Sequence, residues 1–262
     1  MLSQRTPWQI TRSVWHALFL REMLSRLFAN PFSWFWLFAE PLLLVAVMVA
    51  IRSFIRAMDN IAGADMIPWM ILGLVGFFMF RDGMTRSMEA ISANQALFAY
   101  RQVKPIDTVV VRCFLEGVLR TIVLIMLLVG IGLMGYSIIP FDAIQTTLAW
   151  LSLWLLGLAA GLWLSVLVKL IPEIGKIIRI MTLPLLILSG VILPIQFFPY
   201  AVQQVLVYNP IVHGLELLRL GFFEGYWTLY QINFTYLYYW ISLMTAFGLL
   251  LHLRFEKRLQ AQ

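Results

Sequence analysis

The chain has 262 residues, 61% of them hydrophobic and only 12% charged, with a mean hydropathy of +0.86. A surface so poor in charge cannot face water, which excludes a soluble globular protein and places the chain in a bilayer. The net charge of +6 calls for no nucleic acid, because cations collected near an inner leaflet account for it, and the single cysteine, Cys113, excludes an intrachain disulfide and a cysteine metal site.

Residues 1–31 read as a cytoplasmic segment built on a helix over 8–28, where Ile10, Val14, Ala17, Leu24 and Phe28 share one face at helical spacing. Such a helix lies on the inner leaflet. Arg21 interrupts the apolar face and reads as an anchor that snorkels to headgroups. The charges ahead of the first apolar run exclude a cleavable signal peptide, and "NPF" at 30–32 ends the helix at Pro31.

Residues 32–262 read as an all-α domain of six spans, near 32–53, 66–84, 114–136, 144–168, 177–196 and 233–253, each long enough for a hydrocarbon core of about 30 Å. Continuous apolar runs exclude a barrel of alternating strands. When the intervening segments are assigned alternately to the two sides, fifteen of the nineteen Lys and Arg fall on one side, which makes both termini cytoplasmic. Glu40, beside Pro41, is the deepest charge. It reads either as a functional intramembrane acid or as a neutral Glu hydrogen-bonded to a neighbouring helix. Arg112, Glu116 and Arg120 stand four apart and predict an ion-pair ladder along one helix.

Between the second and third spans lies "NQALFAYRQVKPID", residues 94–107. A short amphipathic helix there, with Leu97, Phe98 and Tyr100 as anchors and Arg101 and Lys104 as polar contacts, is what a membrane subunit presents to a soluble motor. The inner loop 169–179, "KLIPEIGKIIR", offers a second contact. On the outer side, 194–227 reads as two short helices dipping into the leaflet, with Asn209 as N-cap and Pro210 at the first helical position. Backbone turns at that depth require protein or a water-filled cavity beside them, and a conduit is the natural neighbour. His213 and Glu216, three apart, read as a satisfied polar pair, since two ligands make a poor metal site. No P-loop, H-E-x-x-H or G-x-S-x-G is present, so the chain neither binds ATP through its own P-loop nor shows a catalytic constellation. Inverted repeats around midplane charges, the mark of an ion-coupled carrier, are also missing.

The run 73–116, "GLVGFFMFRDGMTRSMEAISANQALFAYRQVKPIDTVVVRCFLE", closely resembles the permease subunits of capsular polysaccharide exporters, ABC transporters of the type-2 exporter class. "LFLRE" at 18–22, "IPEIGK" at 171–176 and "NPIVHGLELLR" at 209–219 agree with that resemblance, while "RDGMTR" at 81–86 is more charged than the family pattern. The resemblance implies six spans, an N-terminal interfacial helix, cytoplasmic coupling segments and outer re-entrant helices. It also implies a homodimer with two ATP-binding subunits that carry ATP and Mg, no cofactor on this chain, a periplasmic adaptor and an outer-membrane exporter. The cargo implied is a lipid-linked capsular polysaccharide leaving the cytoplasm across a bacterial inner membrane. Another lipid-linked glycan, such as an O-antigen or teichoic acid, is the alternative cargo, and a membrane-embedded transferase is the more distant alternative. Under this resemblance Leu97, Phe98, Tyr100, Arg101, Lys104, Asp107, Glu173 and Lys176 are the candidates for the ATPase contact. Trp34, Trp36, Glu40, Phe77, Phe78, Trp154 and Tyr208 are candidates for the glycan path, because aromatic rings pack on the C–H faces of sugars. Asn209, His213, Glu216 and Arg219 are candidates for a periplasmic gate.

Overall fold

The computed structural model describes residues 6–28 and 60–260 and, between them, residues 32, 35, 36, 39, 40, 42, 43, 46, 47 and 50. The turn at 30–31, Trp34 and most of the first expected span, 32–53, lie outside the described residues. In chain order the elements are α1 (Pro7–Phe28), a two-residue antiparallel ladder of β1 (Asn60–Ile61) and β2 (Ala64–Asp65), α2 (Met66–Met88), α3 (Ala90–Ala93), a 3-10 turn (Gln95–Ala99), α4 (Pro105–Leu133), α5 (Ala143–Leu170), α6 (Glu173–Leu188), α7 (Tyr200–Leu206), α8 (Pro210–Phe222) and α9 (Phe234–Gln260). Helices α2, α4, α5 and α9 are long and apolar enough to cross a bilayer.

Local chemistry sets these limits. Pro105 occupies the first turn of α4, and the Asp107 side chain accepts a hydrogen bond from the Lys104 backbone N–H at 3.0 Å, which starts the helix well before the apolar run. The helix that carries the third expected span therefore begins at Pro105, ahead of residue 114, and its 29 residues extend about 43 Å, longer than a hydrocarbon core is thick. Asp142 caps α5 by accepting from the Gln145 N–H at 2.9 Å. The fifth expected span, 177–196, is overturned in its limits: α6 has 16 residues, about 24 Å of helix. It ends at Ser189, before Gly190 at φ +69° and well short of Pro194.

The core is assembled around α5, which packs on α2, α4, α8 and α9. "GLAAG" at 157–161 supplies the small residues that let α2 approach: a Cβ on Gly157 would strike the Phe80 carbonyl oxygen at 2.8 Å, and one on Gly161 would strike Ser87. Helix α1 packs on α4 through the side carrying Trp15, Leu18 and Glu22, while Leu20, Leu24 and Phe28 form an exposed stripe opposite. This division suits a helix lying between protein and headgroups.

Candidate functional site

The expected ladder along α4 does not form. Arg112, Glu116 and Arg120 share one face of α4, but each pairs with residues of other elements and not with one another. Arg112 forks onto Glu22 of α1 with contacts of 3.0 to 3.2 Å. Glu116 meets Arg26 of α1 at 3.2 Å and Arg86 of α2 at 3.6 Å. Arg120 donates to Asp82 of α2 through Nε at 2.6 Å and approaches Glu40 at 3.4 Å, while Arg81 spans Asp82 and Glu40 at 2.8 Å each. Tertiary partners win because a buried charge needs a close, desolvated counter-ion, which a neighbouring helix supplies better than the same helix surface. Glu40 thus accepts from Arg81 of α2 and Arg120 of α4, two charged partners on neighbouring helices. Sequence reasoning missed Asp82; an acid inside an expected span, next to Arg81, was the available signal.

Segment 94–107 is held at both ends by α1. Asn94 is buried and donates to Glu22 at 3.1 Å, and Trp15 Nε1 donates to Asp107 at 2.8 Å. Asp107 consequently turns its carboxylate into the protein, onto Trp15 and the α4 cap. Phe98 packs beside the cluster of Ile91, Val109, Leu162 and Leu259, so it is in part a core residue. Tyr100 is 67% exposed, and Arg101 and Lys104 are exposed beside it, with Leu97 half-buried. Glu173 and Lys176 are exposed at the start of α6.

A second network is built around α8, and within it Arg219 Nε is left without a hydrogen-bond partner. Arg219 pairs with Glu216 at 2.8 Å, donates to the Gly190 carbonyl at 2.8 Å, and stacks over Trp69 at 3.6 Å. Glu216 also accepts from Tyr226 at 2.9 Å and from Thr228 at 2.6 Å. Burial and the Glu216 charge push the Tyr226 phenol above its ordinary range, which keeps it a donor. His213 is buried, its Nε2 2.8 Å from the Val207 carbonyl and its Nδ1 3.2 Å from the Asn233 N–H. The expected His213–Glu216 pair is therefore corrected: each is satisfied by other groups. Asn209 does cap α8, accepting from the Ile211 N–H at 3.0 Å, and donates to Ser189 at 3.1 Å. His213, Glu216 and Arg219 anchor α8 to the rest of the chain, and the surface of this hairpin belongs instead to Tyr200, Val205 and Tyr208.

The path candidates separate just as sharply. Phe77 and Phe78 are fully buried and present no surface in this conformation; Arg81 lies over the Phe78 ring at 4.0 Å. Trp154 donates to the Cys113 carbonyl at 3.0 Å and lines an apolar groove of about 420 Å³ with Phe114, Thr121 and Trp150. Trp36 and Tyr208 are exposed.

Comparison with known proteins gives this arrangement its relatives. Residues 13–223 match the family described as ABC-2 type transporter. The polysialic acid transport protein KpsM of Escherichia coli is 33% identical over 225 residues, which cover 85% of this chain and 86% of the relative. The capsule polysaccharide export inner-membrane protein CtrC of Neisseria meningitidis serogroup A is 30% identical over 253 residues, 97% of this chain and 95% of its own. For the capsule polysaccharide export inner-membrane protein BexB of Haemophilus influenzae the identity is 30% over 208 residues, 79% of this chain and 78% of the relative. The chain belongs to the ABC-2 type transporter family of membrane proteins.

Proposed function

We propose that this chain is the membrane permease of an ATP-driven exporter that moves lipid-linked capsular polysaccharide out of the cytoplasm across a bacterial inner membrane. The observation that carries this reading is similarity along most of the chain to proteins whose names state polysialic acid transport or capsule polysaccharide export. The chain crosses the membrane six times with both termini cytoplasmic, and two copies enclose the polymer path between them. ATP and Mg are held by two separate ATPase subunits, and no catalytic step occurs on this chain. Those subunits press on the surface of Leu97, Tyr100, Arg101 and Lys104 and on Glu173 and Lys176. Trp36, Trp154 and Tyr208 remain the aromatic candidates for glycan contact. The outer hairpins meet across the dimer axis through Tyr200, Val205 and Tyr208 and close the path, which opens toward a periplasmic adaptor and an outer-membrane exporter.

Deleting the gene from its own host and complementing it tests the cargo. The deletion should leave polysaccharide inside the cell and none at the surface, by immunostaining with and without permeabilisation, and the wild-type chain should restore export. Normal surface capsule in the deletion would refute the reading.

A further inference from the structure

We propose that Arg26 and Arg86 form a fork that binds the phosphate of an anionic membrane lipid. This rests on α1 lying at the membrane surface and is independent of what the protein exports. Both guanidinium groups lie within ion-pair distance of one oxygen of Glu116, their Nε atoms at 3.2 and 3.6 Å, and the buried Arg26 Nε has no hydrogen-bond partner among the described residues. Among the described residues no acceptor sits on their Nη groups. The fork therefore carries two cations for one anion, while the second Glu116 oxygen has no hydrogen-bond partner among the described residues. Such a surplus of positive charge attracts a further anion. The neighbouring node does not supply one, because Glu22 is itself shared by Arg112 and Arg21.

Shape and place select the ligand. Parallel N–H donors on two planar guanidinium groups match phosphate oxygens, which accept in pairs. Arg86 stands two residues from the end of α2 and Arg26 in the last turn of α1, and their side chains are 43% and 25% exposed, so a ligand can reach them. The exposed stripe of Leu20, Leu24 and Phe28 sets α1 at headgroup depth, where lipid phosphate is the abundant anion.

The experiment places the purified full chain in phosphatidylcholine nanodiscs and measures its preference for spin-labelled phosphatidylglycerol over spin-labelled phosphatidylcholine. The wild type should prefer the anionic lipid, and Arg86→Gln should weaken that preference about fivefold. Arg86→Lys should retain part of it, and Arg101→Gln, at an exposed cation away from the fork, should leave it unchanged. Arg86→Gln keeps Arg26 on Glu116, and a monodisperse elution profile checks that it folds. Equal preference in wild type and Arg86→Gln would overturn the proposal, as would an equal loss in Arg101→Gln. Complete displacement by soluble glycerol phosphate would also overturn it, since a dissolved anion would then be the occupant.

Discussion

The polar networks around α8 and α4 solve the same problem in different ways. Around α8, one ion pair, Glu216–Arg219, is wholly buried, with neutral donors on Glu216 and carbonyls on Arg219, so charge balances within a few ångströms, and a single guanidinium N–H, at Arg219 Nε, is left without a hydrogen-bond partner. Around α4, the arginines Arg21, Arg26, Arg81, Arg86, Arg112 and Arg120 meet four acids, Glu22, Glu40, Asp82 and Glu116, and several remain partly exposed. A balanced, dry cluster is a clasp. An unbalanced, half-wet one joins separate elements and leaves charge over for a ligand. The comparison predicts that substitutions in the α8 network act on stability and surface substitutions near α4 act on association.

The largest expected effect comes from breaking the clasp. Glu216→Gln leaves the Arg219 charge buried without its counter-ion and should destabilise the protein by about 3–5 kcal/mol, read as a large drop in the melting temperature in detergent. The double substitution Glu216→Gln with Arg219→Met should recover much of the loss. A single variant that melts like the wild type would remove the distinction between the two networks.

Gly73→Ala attacks the same clasp from α2. A Cβ at this position would overlap the Arg219 guanidinium, and overpacking of this kind costs about 1–3 kcal/mol. Melting should fall in Gly73→Ala but not in Gly130→Ala, because a Cβ at Gly130 meets nothing within 4 Å. Equal melting of the two variants would show that Arg219 has room to move. Smaller still, Asn209→Ala removes the cap on α8 and should cost about 1 kcal/mol.

What was legible in the sequence follows from the same division. The Asn209-Pro210 helix start could be read because capping is local: side chain, proline and backbone N–H lie within a few residues. Likewise the long apolar helices α2, α5 and α9 follow directly from hydropathy. The limits of α6 were not legible, since an apolar run continues past Ser189 and only the left-handed Gly190 stops the helix there. Arg112, Glu116 and Arg120 were correctly placed on one face, yet their partners Glu22, Arg26, Arg86 and Asp82 lie far away in the chain, and periodicity carries no information about them. The burial of Phe77 and Phe78 was not legible for a related reason: a buried aromatic and a path-lining aromatic have the same sequence signature.

The smallest expected effect on stability belongs to Tyr100, and that makes it the sharpest test of the inner surface. Phe98→Asp would confound two causes, because Phe98 packs beside Ile91, Val109 and Leu259, and a charge there disturbs the protomer itself. Tyr100 is 67% exposed on the same segment, so Tyr100→Asp should change folding stability by no more than about 0.5 kcal/mol. If the ATPase subunit seats on this ring, the variant should insert, melt as the wild type does, and fail to co-purify with its ATPase. Arg101→Glu should weaken the same association in a salt-dependent way, since the arginine acts through exposed charge. Phe98→Asp alone losing the ATPase, with Tyr100→Asp and Arg101→Glu retaining it in full, would show that the segment acts as internal packing, and the motor contact would then have to lie elsewhere, beginning with Glu173 and Lys176.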